Sequence, residues 1–284
     1  TSPLKLPSPK LGEGMGVRYG VLDRWILARL NQTILIVTKS LDKYDAFTAS
    51  HVIEDFVSDL SLWYVRRSRD RVGPSATDQS DKLACLSTLH LALSTLAKLL
   101  APFTPFLAEE IYKNLTGNES VHLSDWPKAK KLSSDDEKLI SDMKHVVRKI
   151  VELGLAERKK HSVKVRQPLR SIVIKAADQG LNTDLLELIK DELNVKEIVW
   201  KRADHLDFDV SLDLQINDEL KAEGEMRELS RQVQELRKSL NIDQTRYISL
   251  VSPSIPQGVL LEEFKRKTLT KEIKPGSELK IESI

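Results

Sequence analysis

The sequence predicts a mainly α-helical bundle followed by a small α+β domain, and three observations support this fold class. Apolar residues recur at helical spacing through four segments between about residues 21 and 116. After residue 163 the pattern changes to short alternating segments typical of strands, interleaved with shorter helices. The composition agrees, because 40% hydrophobic and 30% charged residues suit a soluble, helix-rich chain of 284 residues.

Four helices with short connections form the predicted bundle. They cover about 21–41, 47–70 and 79–100, and the fourth opens at Thr104-Pro105. The third helix has a wide apolar stripe that we expect to face the core: Leu83, Leu86, Leu89, His90, Leu93, Leu96, Ala97 and Leu100. Within this helix we expect Cys85 to be a buried core residue and His90 to be a hydrogen-bonded core histidine.

The domain limits follow from changes in composition. Residues 1–20, rich in proline and glycine, predict a linker, and residues 21–130 hold the bundle. A basic connecting helix is expected over 131–162, and the α+β domain over 163–284. Strands are predicted at 171–174, 195–200, 208–214, 247–251 and 279–284, with helices at 185–193, 217–240 and 259–267. We find no internal repeat of fixed period in the sequence.

Two local basic stretches are candidates for binding a polyanion. The net charge is only +2, so any such site must be a local patch. Arginine grips phosphate with a planar fork of donors, and lysine supplies a point charge. The alternative is a solvated helix surface. The candidate phosphate-contacting residues are Arg66, Arg67, Arg69 and Arg71 in the bundle, and Arg158, Lys159, Lys160, Lys164 and Arg166 after the connecting helix.

Trp63 and Trp200 are candidates for stacking on nucleic-acid bases, although both stand where a core residue is expected. No catalytic cluster is evident. The six histidines are scattered without metal-ligand spacing, and the single cysteine cannot form a zinc knuckle. We therefore predict no catalytic residue and no metal ligand in this chain. No apolar run of the length that spans a bilayer was identified, so we expect no membrane association.

Several motifs occur in one order along the chain. They include Trp63-Tyr64-Val65-Arg66-Arg67-Ser68-Arg69, the run from Ala101-Pro102 to Ile111-Tyr112, and Ser120-Val121-His122-Leu123-Ser124-Asp125-Trp126-Pro127. Lys164-Val165-Arg166-Gln167-Pro168-Leu169 and Glu219-Leu220-Lys221-Ala222-Glu223-Gly224 follow. Together these motifs resemble isoleucyl-tRNA synthetase, a class I aminoacyl-tRNA synthetase. The valyl and leucyl enzymes share the helical bundle and remain alternatives within the class.

The resemblance implies the anticodon-binding helical domain and the following α+β domain of that enzyme. It implies isoleucine tRNA, through its anticodon stem-loop, and the enzyme's own catalytic domain as partners of a cytoplasmic monomer. The family's two ATP-handling signatures are absent from this sequence. The chain is therefore expected to need no cofactor and to be non-catalytic by itself, whereas the full enzyme uses ATP and Mg²⁺. A non-catalytic helical scaffold that docks a protein partner is the alternative from another class.

Overall fold

The computed structural model describes residues 19–177, 181–203 and 207–282. These residues divide into two compact units, with the boundary between Ser141 and Asp142. The first unit is helical and the second combines helices with two small sheets. This arrangement confirms the fold class predicted from the sequence.

The first unit is an antiparallel helical bundle. Its helices are α1 (Val21–Leu41), α2 (Ala46–Asp59), α3 (Arg69–Val72), α4 (Gln79–Leu100), α5 (Pro105–Thr116) and α6 (Ser134–Ser141). A π-helical turn, Leu60–Val65, continues α2 toward α3. The core contains Trp25, Ile26, Phe56 and Tyr64, which are all fully buried.

The buried face of α4 differs from the leucine stripe predicted for it. The deeply buried residues are mainly small: Ala84, Cys85, Thr88, Ala92, Thr95, Ala97 and, among the leucines, Leu96 and Leu99. Most leucines of the predicted stripe are only half-buried. Small side chains let neighbouring helices approach closely, so they occupy the centre of the contact while the leucines pack around it. Cys85 is buried and His90 bonds the carbonyl of Leu115 at 3.0 Å, as predicted.

Among the described residues, α4 is also the one helix long and apolar enough to cross a membrane by length and composition. The sequence prediction missed this. Of its most apolar stretch, 56% is buried inside the protein. A core helix of a folded domain passes the same test, and its burial assigns α4 to the core.

The second unit contains two consecutive copies of one arrangement. The first copy comprises α7 (Arg148–Lys160), β1 (Leu169–Ala176), α8 (Thr183–Leu193), β2 (Val195–Arg202) and β3 (Asp209–Leu212). The second copy comprises α9 (Asp218–Ser239), β4 (Ile248–Ser252), α10 (Val259–Thr268), β5 (Thr270–Pro275) and β6 (Lys280–Glu282). Each sheet has its first strand in the centre, parallel to the second strand and antiparallel to the third.

The duplication extends to individual hydrogen bonds. The amide of Val163 bonds the carbonyl of Arg158 at 2.9 Å, and the amide of Ile242 bonds that of Arg237 at the same distance. The helix between the parallel strands ends on a left-handed residue in both copies, Asn194 at φ 50° and Leu269 at φ 51°. The structure therefore contains a repeat that the sequence did not reveal. The repeat lies in backbone geometry, and few side chains are shared between the copies.

Candidate nucleic-acid interface

The arginines after α2 fall into exposed and internal positions. Arg66 and Arg69 are exposed, and Arg67 is half-buried. The Nε of Arg66 donates to the carbonyl of Leu62 at 2.8 Å, which holds its stem along the helix. Arg66 and Arg69 therefore present charge at the surface of this end of the bundle.

Arg71 occupies an internal position instead. Its guanidinium donates to both carboxylate oxygens of Asp23, at 2.9 and 2.7 Å, and to those of Asp81 at 2.7 to 3.0 Å. The hydroxyl of Tyr64 also donates to Asp23, at 2.5 Å. Burial alone would lower the pKa of Arg71, but the hydrogen bonds to Asp23 and Asp81 outweigh it and raise that pKa. Arg71 thus ties together the starts of α1 and α4.

The two aromatic residues before the arginines also differ in position. Tyr64 is fully buried, and burial followed by the nearby Asp23 charge raises its pKa. Trp63 is half-buried in the π-helical turn. The second stacking candidate, Trp200, is half-buried in β2, where its ring meets Phe208 edge-on with centroids 6.4 Å apart. Neither tryptophan presents a fully open ring face.

Arg158 belongs to the second basic stretch but is buried beneath the protein surface. Its side chain is 1% exposed. It donates to the carbonyls of Leu193 and Asn194, and to two carbonyls of the loop after α7, those of Lys164 and Gln167, all at 2.9 to 3.0 Å. Burial, then repulsion from Arg227, lowers its pKa to about 10, so Arg158 remains cationic at neutral pH. Arg158 therefore holds the loop and is not available to a ligand.

Asn194 holds the same loop from the other side. Its side-chain amide donates to the carbonyls of Val165 and Arg166 at 2.9 and 3.0 Å, and its oxygen accepts from Arg227 at 2.5 Å. Its left-handed conformation is one that asparagine tolerates better than most residues. Sequence reasoning missed this residue. An asparagine directly after a predicted helix is the signal that could have identified it.

The loop is also attached to α9. The side-chain Nε2 of Gln167 donates to the carbonyl of Leu220 at 2.8 Å. A Cβ placed on Gly224 would overlap the side-chain amide of Gln167, so a larger residue here would require that side chain to move. Two motifs that are distant in the sequence, those containing Gln167 and Gly224, therefore meet here.

The remaining basic residues of this stretch take no part in the side-chain contacts by which Arg158 and Asn194 hold the loop. Lys159, Lys160, Lys164 and Arg166 are all exposed. Lys160 has a 3.3 Å ion pair with Glu157, and Arg166 a 3.5 Å pair with Glu228. Pairs of this length between exposed groups are weak, so these side chains can reorient toward a ligand. We name residues 159–167 the basic loop.

These positions separate the predicted site residues into two groups. Arg71 and Arg158 are internal because their donors are engaged with carboxylates or carbonyls. The exposed groups are Arg66 and Arg69 in the first unit and Lys159, Lys160, Lys164 and Arg166 in the second. In the described ranges, no group of three or more histidine, cysteine or acidic side chains is placed to hold a metal ion.

Comparison with known proteins agrees with this geometry. A family model described as the anticodon-binding domain of tRNA ligase matches residues 23–174, which include the arginines after α2 and the basic loop. The isoleucine–tRNA ligase of Dehalococcoides mccartyi (strain CBDB1) is 39% identical across 90% of this chain and 28% of that protein. That of Deinococcus radiodurans is 45% identical across 64% of this chain and 17% of that protein.

A third relative is similar to a comparable degree. The isoleucine–tRNA ligase of Thermococcus kodakarensis is 41% identical across 62% of this chain and 17% of that protein. This chain therefore spans about a quarter of the length of the relatives that it matches most extensively. Because the family model covers more than half of the sequence, the chain belongs to the family of anticodon-binding domains of tRNA ligases.

Proposed function

We propose that this chain is the tRNA-binding, C-terminal region of an isoleucine–tRNA ligase and that it recognises the anticodon stem-loop of isoleucine tRNA. The observation that carries the proposal is the match to the anticodon-binding family over residues 23–174, within which six of the candidate basic residues are exposed: Arg66, Arg69, Lys159, Lys160, Lys164 and Arg166. Anticodon bases are unstacked and accessible, so the anticodon is a natural place to read tRNA identity. Phosphate contacts would set the register of the RNA and base contacts would specify it.

The rest of the enzyme would supply the chemistry. The relatives are about four times longer than this chain, so attachment of isoleucine with ATP and Mg²⁺ is assigned to segments outside it. In this proposal the chain has no cofactor of its own. It acts in the cytoplasm as part of a monomeric enzyme and packs against the catalytic domain.

One observation favours a protein-binding surface in addition. The α1–α2 and α4–α5 turns lie at the same end of the bundle, because α1 and α4 both begin at the Arg71 network. This end exposes Tyr44, Phe47 and Phe106, with exposed fractions of 97%, 71% and 91%. Exposed apolar residues of this kind mark interaction sites. A scaffold function for this end, or contact with the catalytic domain, is the second candidate.

A titration of the chain with isoleucine tRNA at two salt concentrations tests the proposal. Competitors are the same tRNA with altered anticodon bases, and valine and leucine tRNAs. We expect binding that weakens steeply with salt, because phosphate contacts release counterions, and that is selective for the isoleucine anticodon. Salt-dependent binding that ignores the anticodon would contradict recognition. Absence of any binding would overturn the proposal and favour the scaffold.

A further inference from the structure

The two copies of the second unit allow the structural and functional residues of the basic loop to be separated. In both copies, one buried arginine at the end of the first helix holds the following loop. Arg237, 2% exposed, donates to the carbonyls of Asp243, Arg246 and Thr268 at 2.6 to 3.1 Å. These acceptors stand where Arg158 has Lys164, Gln167 and Leu193. The two loops therefore share one frame, by which we mean the buried arginine and the backbone carbonyls that it holds.

The exposed charges on this frame differ between the copies. The first copy has three basic side chains where the second has a hydroxyl, a carboxylate and a second hydroxyl: Lys160, Lys164 and Arg166 correspond to Ser239, Asp243 and Thr245. The loop of the second copy makes the equivalent backbone bonds without those cations. The fold therefore does not require the positive charges of the first copy, and a functional explanation is needed for them.

The frame of the first copy is also reinforced in a way that suits a binding site. Asn194 bonds two carbonyls of the loop through its side chain, whereas its counterpart Leu269 has no polar side-chain atom. Gln167 attaches the loop to α9. Inward-facing carbonyls are thereby occupied, and the buried guanidinium of Arg158 adds positive charge below the surface. A loop fixed in this way loses little conformational entropy when it binds a ligand.

We infer that the basic loop is a preformed binding site for RNA phosphates, with Lys160, Lys164 and Arg166 as its contacts and Asn194 as a positioning residue, and that the second copy has the frame without the site. The inference rests on the proposed function, because the ligand is the tRNA backbone. The family model agrees, since it covers the basic loop and ends before the second copy begins. Lysine and arginine of this kind bind phosphate largely independently of base sequence.

An exchange of side chains between the copies tests the inference at constant net charge. The first variant carries Lys160→Ser, Lys164→Asp and Arg166→Thr. The second carries the reverse changes, Ser239→Lys, Asp243→Lys and Thr245→Arg. The third combines all six and has the net charge of the wild type. Thermal melting of each variant confirms that Arg158 and Arg237 still hold their loops, and isoleucine tRNA is titrated at several salt concentrations.

We expect the first and third variants to lose affinity roughly tenfold or more and to show a salt slope smaller by about 2 to 3, since each lost phosphate contact removes about 0.7 to 0.9. If the third variant binds as tightly as the wild type, net charge and not the loop determines affinity, and the inference is overturned. A first variant that binds like the wild type, as expected if the loop instead contacts a protein, also overturns it. If the wild type fails to bind tRNA, the proposed function itself fails.

Discussion

The two copies in the second unit have the same order of elements and the same loop-holding arginine, but different surfaces. At three loop positions the first copy has basic side chains where the second has two hydroxyls and a carboxylate, whereas Lys159 is matched by Lys238 and the second loop has Arg246 in place of Gln167. The contrast distinguishes two kinds of basic residue that sequence alone groups together. Arg158 belongs to the frame because Arg237 repeats it, whereas Lys160, Lys164 and Arg166 are not repeated and can be assigned to a ligand.

The interiors of the copies differ in a compensating manner. Gly154 on α7 corresponds to Val233 on α9, and Leu193 at the end of α8 corresponds to Thr268 at the end of α10. The first copy thus combines a glycine with a leucine, and the second a valine with a threonine, all of them buried. A Cβ on Gly154 would lie 2.6 Å from two methyl carbons of Leu193. The larger side chain of the pair is therefore on α8 in the first copy and on α9 in the second.

The largest predicted effect concerns the shared frame. Arg158→Met removes the donors to four carbonyls, and we expect it to reduce the free energy of unfolding by about 3 to 5 kcal/mol. Arg237→Met removes the donors to three carbonyls and should cost less, about 2 to 3 kcal/mol. Denaturant unfolding measures the totals. Hydrogen exchange at the amides of Val163 and Ile242 reports each copy separately.

The control for this pair is Lys159→Met, which changes an exposed neighbour of Arg158 and should leave unfolding within about 0.5 kcal/mol of the wild type. If Arg237→Met were as harmless as this control, the second arginine would not hold its loop. The proposed equivalence of the two frames would then be wrong.

The exchanged interior volumes give the next prediction. Gly154→Val alone should destabilise the first copy by about 1 to 3 kcal/mol, because the added methyls overlap Leu193. Leu193→Thr alone should cost about 2 to 4 kcal/mol through the cavity that it leaves. The double variant reproduces the pair found in the second copy, where the hydroxyl of Thr268 bonds the carbonyl of Phe264 at 2.7 Å. Its cost should fall at least about 1 kcal/mol below the sum of the single variants.

A double-mutant cycle by chemical denaturation measures this coupling. Gly154→Val with the conservative change Leu188→Ile serves as a comparison, because Leu188 is buried on α8 but the atoms nearest to a Cβ on Gly154 all belong to Leu193. Strict additivity for Gly154→Val and Leu193→Thr would contradict the compensation.

The sequence predicted the bundle, the order of helices and five of the six strands found in the described residues, because these have clear apolar periodicity. It missed β5, whose residues Thr270–Pro275 include one large apolar side chain, Ile273, so that no alternation is visible. It also could not divide the basic residues. Arg71 and Arg158 differ from their neighbours only through carboxylates and carbonyls brought to them from distant parts of the chain, which charge patterns along the sequence do not reveal.

A smaller effect is expected from making the first copy resemble the second at its left-handed residue. Asn194→Leu removes two bonds to the loop and one from Arg227, and should cost about 1 to 2 kcal/mol. Leucine occupies the equivalent position at 269, so the backbone conformation remains accessible. We expect weaker tRNA binding with an unchanged salt slope, because the basic contacts remain but the loop is less ordered. A variant that loses stability and binds tRNA like the wild type would contradict a positioning role.

The smallest effect is a pH dependence found in the second copy alone. The hydroxyl of Thr245, followed by its backbone amide, donates to Asp243 and lowers the pKa of that carboxyl below its usual 3.8. A lowered folded-state pKa contributes stability above the unfolded pKa, and this contribution is lost as the pH falls through the folded one. Asp243→Asn should therefore be less stable than the wild type at pH 7, and the difference should shrink toward pH 3. Thermal melting at the two pH values measures this.

The matched change in the first copy is Lys164→Asn, at the position where a lysine replaces the carboxylate. Its effect on thermal stability should change less between the two pH values, because the carboxyl near it, Glu228, has its pKa lowered chiefly by Arg231, then by Arg166 and least by Lys164. If both variants showed the same pH dependence, the effect would come from the overall charge of the chain. If only Asp243→Asn showed this pH dependence, the two loops would differ in their local charges although they have the same frame. Such a difference is what would allow the first loop to bind phosphate while the second does not.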